Sequence, residues 1–273
     1  MALSVATNTS AATAHRYLKT NDMEASRSLA KLSSGSRIVR ASDDAASLAV
    51  GTKLRADVNA LRQAQVNASH GSSVLQVADG ALQQVSDILI RMKALATQAV
   101  TGSISDTERG YLNSEFTQLQ TQLDDISTQT KFNGTALLDG TFSVDFAVGT
   151  DATNDVITVT IGQAASAAGL GIGASSVDTA ANAQTAATAV DTAIDLLLSA
   201  RSTLGAQMSR FDFVSANLAT SVENIDAARS TLLDVDVAAE MANYSSKQVV
   251  MQASVAMLAQ ANQMPQNLLK LLG

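Results

Sequence analysis

Residues 54–99 read LRADVNALRQAQVNASHGSSVLQVADGALQQVSDILIRMKALATQA, and this stretch decides the fold. Leu54, Leu61, Ala68, Leu75, Leu82, Leu89 and Ala96 recur at heptad spacing, and Ala64, Gly71, Ala78, Val85, Met92 and Ala99 stand three places after all but the first of them. That is the a/d seam of a coiled coil. Val74, Ala81, Ile88 and Leu95 add a third apolar row beside it, so this helix faces more than one partner. In the other half of the chain Val190, Leu197, Leu204, Phe211, Leu218, Ile225 and Leu232 keep the same period, with Ile194, Met208 and Val222 in the complementary row. At ~1.5 Å rise per residue each ladder is a rod of roughly 65 to 70 Å, too long for the core of a small globule. Each needs a partner along its length, and the other ladder supplies one. The seam residues expected to meet inside the chain are Leu54, Leu61, Leu75, Leu82 and Leu89 against Val190, Leu197, Leu204, Phe211, Leu218 and Ile225.

Outward from the ladders, residues 4–33 carry a helical pattern through Ala11, Ala14, Leu18, Ala25, Leu29 and Leu32. Gly35 then reads as a helix stop, and Ser42 as the next N-cap, with Asp43 and Asp44 in the first turn where the helix dipole favours carboxylates. The pattern fits a joint between domains and an ordinary helix-loop-helix equally well. Gly102 and Ser103 end the first ladder; Ser105 and Asp106 cap a shorter helix whose seam is Leu112, Phe116, Leu119, Leu123 and Ile126 and which folds back antiparallel. Between residues 141 and 161 the period becomes two. Phe142, Val144, Phe146 and Val148 share one strand face, Ile157, Val159 and Ile161 another, and residues 149–154 form the turn of a β-hairpin. Gly169, Gly171 and Gly173 read as a flexible apolar loop; no Lys follows them, so a phosphate cradle is not expected. A break at Asp234 to Asp236 precedes a last helix whose apolar positions, Met241, Tyr244, Val249, Val255 and Leu258, spread over a broad face. Nothing in the first half of the chain is sufficient to cover that face.

The 273 residues are 46% apolar but only 3% aromatic, with one proline and no tryptophan, which predicts an Ala-rich core of closely approaching helices. A net charge of -7 lacks the basic stripe that nucleic acid requires. The absence of cysteine excludes a disulfide scaffold, a Cys-ligated zinc site and thiol catalysis. No apolar run approaches the ~20 residues of a membrane span, and residues 1–10 lack the basic and apolar regions of a secretory signal peptide. Only His15 and His70 could act as neutral-pH acid/base groups, and neither has a matched partner in the sequence. The acid pairs Asp43 with Asp44 and Asp124 with Asp125 diverge around a helix and cannot clamp one substrate. No metalloprotease, P-loop, nucleophile-elbow or EF-hand pattern is present. Neither an enzyme nor a cofactor is expected.

Lys31-Leu32-Ser33-Ser34-Gly35 with Arg37-Ile38, Ser42-Asp43-Asp44-Ala45-Ala46, Phe132-Asn133-Gly134, and the run from Leu258-Ala259-Gln260-Ala261-Asn262-Gln263-Met264-Pro265 to Gln266-Asn267-Leu268-Leu269 together resemble bacterial flagellin. The likeness covers both termini and nearly all of the chain between. Larger flagellins carry outer surface domains between the ladders; here only the hairpin and glycine loop stand in that place, so the sequence resembles a short form.

The resemblance implies a mainly α fold: a long antiparallel coiled-coil helix bundle with a small β-hairpin region, and terminal helices forming a second helical domain. It divides the chain into inner-tube helices at 1–44 and 234–273, coiled-coil halves at 45–140 and 178–233, and the hairpin and glycine loop at 141–177. It also implies a structural subunit that assembles with itself into the extracellular flagellar filament, with Leu18, Leu29, Leu32, Val249, Val255, Leu258, Leu268 and Leu269 on terminal helices ordered by neighbouring copies. Further implied partners are the flagellar type III export apparatus and a chaperone, without a cleaved signal peptide, and the filament cap and hook-junction proteins. Arg91, Leu95 and Glu115 match positions that in many flagellins contact the innate immune flagellin receptor, although Ala94 replaces an acidic residue common there. Arg91 and Leu95 lie one helical turn apart, and Leu95 equally suits packing against a neighbouring subunit. The alternative of the same architecture is a flagellin-like hook-filament junction protein. A free coiled-coil adaptor would explain the ladders but not the terminal motifs.

Overall fold

Heptad spacing becomes structure in α2 (Ala45–Val100) and α4 (Ala180–Leu233). The computed structural model describes residues 7–151 and 153–272, with side chains as far as Met264. Two compact units are present, residues 57–223 and residues 1–56 with 224–273, and the division falls inside α2 and α4 rather than at the helix breaks.

Within the 57–223 unit, Gly71 lies against Phe211, Asp79 pairs with Arg201 at 3.0 Å, and Lys93 pairs with Asp191. As the first number of each pair climbs the second falls, so the two helices run antiparallel. Leu61, Leu75, Leu82 and Leu89 are buried, as are Val190, Leu197, Leu204, Phe211 and Leu218. At ~1.5 to 3 kcal/mol for each large side chain taken from water, this seam carries much of the unit's stability. The outlying seam residues Leu54 and Ile225 are half-buried.

The third apolar row meets α3 (Asp106–Gln129), whose Phe116 and Leu123 join Val74 and Leu95 in one core. A capping box starts α3: the Ser105 hydroxyl accepts the Glu108 amide, and the Glu108 carboxylate accepts the Ser105 amide at 2.8 Å. Those bonds from Ser105 hold the Glu108 pKa below its ordinary value. The box therefore contributes fully above the unfolded carboxylate pKa and is lost as pH falls through the lowered one. Arg109, only 8% exposed, donates to the Ala99 carbonyl at 2.9 Å and the Thr101 carbonyl at 3.1 Å, satisfying groups that the end of α2 leaves open.

Two antiparallel hairpins follow. The first, β1 (Lys131–Phe132) with β2 (Thr135–Ala136), turns on Asn133 at φ 48° and Gly134 at φ 82°, the left-handed pair that a two-residue hairpin requires. The second pairs β3 (Phe142–Ala147) with β4 (Val156–Ile161), Phe142 opposite Ile161 and Ala147 opposite Val156. Ile157, Val159 and Ile161 are buried in alternation, and Phe146 meets the Phe211 ring edge-on at 5.7 Å. On β3 the expected face is incompletely covered: Phe142 is buried and Phe146 and Val148 are half-buried, but Val144 between Phe142 and Phe146 is exposed.

The glycine segment departs from the flexible loop expected of it. Ala165, Ala167, Leu170, Ile172 and Val177 are buried and belong to the core. A polar row on α3 fastens the backbone there: Asn113 accepts the Val177 amide, Gln120 donates to the Ile172 and Ser175 carbonyls, and Asp124 accepts the Ala167 amide at 2.8 Å. The glycines serve close approach and a left-handed turn, Gly171 having φ 74°.

At Gly71 a Cβ would stand 2.5 Å from Phe211 Cζ, and that ring is buried and held against Phe146. Overpacking of this kind costs about 1 to 3 kcal/mol, against roughly 1 kcal/mol gained from replacing a mid-helix glycine. Gly71→Ala should lower the thermal midpoint, and adding Phe211→Leu should recover part of the loss. A midpoint that rises in the single variant would show that the ring moves aside freely.

Candidate functional site

The terminal unit is built on α1 (Thr9–Ser34) and α5 (Val237–Leu272). Asn8 caps α1 by accepting the Ala11 amide at 3.0 Å, and Gly35, at φ 68°, ends it in the left-handed conformation. Asp236 caps α5 by accepting the Ala239 amide at 3.0 Å. The helices run antiparallel: Asn8 Nδ2 donates to the Ala261 carbonyl at 2.8 Å, and Lys247 pairs with Glu24 at 2.5 Å.

Where α1 stops and α5 starts, the backbones are joined. Ser36 and Asp234 form an isolated antiparallel bridge, in which the Arg37 amide donates to Leu233 O at 2.7 Å and the Val235 amide to Gly35 O at 3.1 Å. The Ser36 hydroxyl and the Arg37 guanidinium reach the Leu233 and Leu232 carbonyls at 3.1 and 2.9 Å. These bonds satisfy carbonyls that the end of α4 leaves open. The expected cap at Ser42 is corrected: Asp44 caps α2 by accepting the Ser47 amide at 3.0 Å. Asp43 instead accepts from the Val39 and Arg40 amides and closes the turn that precedes the helix, which begins only at Ala45 and so leaves Ser42 too early to cap it. Hydrogen bonding from Ser47 holds the Asp44 pKa below its ordinary value.

The α1–α5 pair covers little of its own apolar surface. Ala25 and Ser28 on α1 and Ala261 on α5 are the buried residues among those described. Leu18, Leu32 and Leu258 are half-buried, whereas Leu29, Val249 and Val255 are exposed at 52%, 65% and 52%. Leu268 and Leu269 lie outside the residues whose side chains are described. Two open grooves run along the pair. Leu18, Met251 and Val255 line one; Tyr17, Val249, Val250 and Met257 line the other, of about 820 Å³. The exposed valines and methionines are what remains to be covered, and contiguous apolar surface of this kind marks an interaction site.

The second candidate surface is corrected in part. Arg91 and Glu115 do meet, at 2.6 Å across α2 and α3, with side chains 57% and 42% exposed. Leu95 does not share their surface: it is 1% exposed, packed in the core that α3 closes. A turn of helix separates it from Arg91 along α2, but the short helix covers one position and leaves the other open. His15 and His70 are exposed, and no cluster of His, Cys, Asp or Glu suited to a metal occurs among the described residues.

Residues 5–143 match the family profile described as the bacterial flagellin N-terminal helical region, and residues 187–272 match the corresponding C-terminal helical region. Flagellin of Halalkalibacterium halodurans is 39% identical over 97% of this chain and 98% of its own. The flagellar filament 33 kDa core protein of Treponema phagedenis is 36% identical over the same shares. The crystal structure of Bacillus cereus flagellin, 34% identical, superposes with a TM-score of 0.51, covering 60% of this chain and 94% of that one. With both terminal regions matched and full-length relatives well above 30% identity, the chain belongs to the bacterial flagellin family.

Proposed function

We propose that the α1–α5 pair is the surface by which copies of this chain join one another. The chain is a structural subunit of the bacterial flagellar filament, not an enzyme; it assembles with itself into an extracellular helical polymer that serves motility. The observation that carries the surface assignment is the exposure of Leu29, Val249, Val255 and Met257 on a helix pair that buries almost nothing internally. A contact repeated by rotation and rise without closing yields a filament rather than a ring. Residues 1–44 and 234–273 would then form the inner tube, with the ladders and hairpin outside them. The junction-protein alternative has less behind it, because the relatives matching nearly the whole chain are named flagellin and filament core protein. Electron microscopy of the concentrated purified protein should show long uniform filaments; particles that remain single or close into rings would refute the reading.

Family membership is what supports our further proposal of export through the flagellar type III channel with a chaperone, and of contact with the cap and hook-junction proteins. For the innate immune receptor, the exposed Arg91–Glu115 pair is the part of the expected patch that a receptor could touch on the monomer. As an exposed ion pair it adds only about 0 to 1 kcal/mol to stability, so its removal is a clean probe. Arg91→Ala with Glu115→Ala should leave the melting curve in place and reduce stimulation of receptor-bearing cells by depolymerised protein. Unchanged stimulation would remove the pair from any receptor contact.

A further inference from the structure

With no cysteine in the chain, its eight methionines are its only sulfur, and they are unevenly placed. Met92 and Met208 lie in or against the coiled-coil core, Met92 with no exposed surface. Met23 on α1 and Met241, Met257 and Met264 on α5 are 48%, 48%, 64% and 46% exposed. Met257 and Met251 each line one of the two grooves along the helix pair. The oxidisable side chains are therefore concentrated on the surface assigned to assembly, where an apolar face must stay apolar.

We propose that these thioethers are an oxidative modification site that switches subunit association off, a reading that rests on the α1–α5 pair being the assembly surface. Hydrogen peroxide transfers one oxygen atom to the sulfur lone pair; the O–O bond breaks, an S–O bond forms, the thioether becomes a sulfoxide, and water leaves. The product is polar, chiral and strongly hydrogen-bond accepting, and it must be desolvated to enter an apolar contact. Unlike a cysteine lesion it forms no cross-link, and methionine sulfoxide reductases reverse it. Exposure makes the unassembled subunit the vulnerable form; once a neighbouring copy covers the grooves, the same sulfurs are shielded.

The test exposes full-length monomer to graded hydrogen peroxide and reads each methionine by peptide mass spectrometry. Met257 should oxidise at least tenfold faster than Met92, and in preformed filaments the Met257 rate should fall at least tenfold. Oxidised monomer should lose at least tenfold in the amount sedimenting as filament, and treatment with both methionine sulfoxide reductases should restore it. In a variant carrying Met23→Leu, Met241→Leu, Met251→Leu, Met257→Leu and Met264→Leu, peroxide should no longer lower the amount sedimenting as filament relative to the same variant left untreated. Equal oxidation of Met92 and Met257, or normal assembly of oxidised monomer, overturns the proposal. Filaments in which Met257 stays as reactive as in monomer would instead count against the α1–α5 pair as the assembly surface. Repair by the reductases does not depend on the variant, so a poorly folding variant leaves the proposal exposed to refutation.

Discussion

Deleting residues 1–33, or residues 237–273, is expected to abolish filament formation while leaving the 57–223 unit helical. The core of that unit, from Ala68 and Leu75 to Leu204 and Phe211, draws on neither α1 nor α5. Removing one terminal helix strips Glu24 or Lys247 of its partner and takes away one wall of each groove. Sedimentation should find no polymer at concentrations where the whole chain assembles, while circular dichroism loses only the deleted helix's share of signal. A truncated chain that still builds normal filaments would remove the terminal pair from assembly.

The second large effect belongs to the seam. Leu82 and Leu204 are 1% and 2% exposed, and Leu82→Asp or Leu204→Asp places a carboxylate in that apolar seam, where Arg201 is already engaged by Asp79 and Gln83. Lost burial and the desolvation of an unpaired charge together cost about 3 to 5 kcal/mol, a large fraction of a typical domain's stability. Ile90 supplies the contrast, since it lies on the same helix at 59% exposure, and Ile90→Asp should change monomer stability by about 0.5 kcal/mol or less. Denaturant titration of the monomers distinguishes the positions. Equal midpoints for Leu82→Asp and Ile90→Asp would show that the ladders do not meet.

The heptad rows were legible because a seam of this length leaves a seven-residue period whatever lies beside it. Ser105 with Glu108 was legible for a local reason, since a capping box is complete within four residues. Features decided by distant segments were not. Leu95 stands in an apolar row that could face a neighbour or a core, and only the return of α3 buries it. The glycine segment reads as a loop because its backbone bonds go to Asn113, Gln120 and Asp124, far off in sequence. Arg109 reads as a surface cation until the end of α2 is seen to need a donor. The Asn133–Gly134 hairpin had a plain local signal, the Asn-Gly pair, but its strands of two residues are too short to show alternation. For the terminal face the sequence showed an uncovered breadth of apolar residues, and the structure shows which of them α1 covers.

The bridge between Ser36 and Asp234 joins segments from opposite ends of the chain, and that arrangement sets an order of events. During synthesis, the segment that becomes α1 must wait for everything up to α5 before Asn8 can reach Ala261 and Glu24 can reach Lys247. A product that stops between residues 224 and 236 still holds the whole 57–223 unit and can close it, but it lacks α5 and cannot complete the terminal unit. The fold thus makes completeness a condition of stickiness. Half-made chains are excluded from the polymer by their own topology, with no separate inspector to reject them.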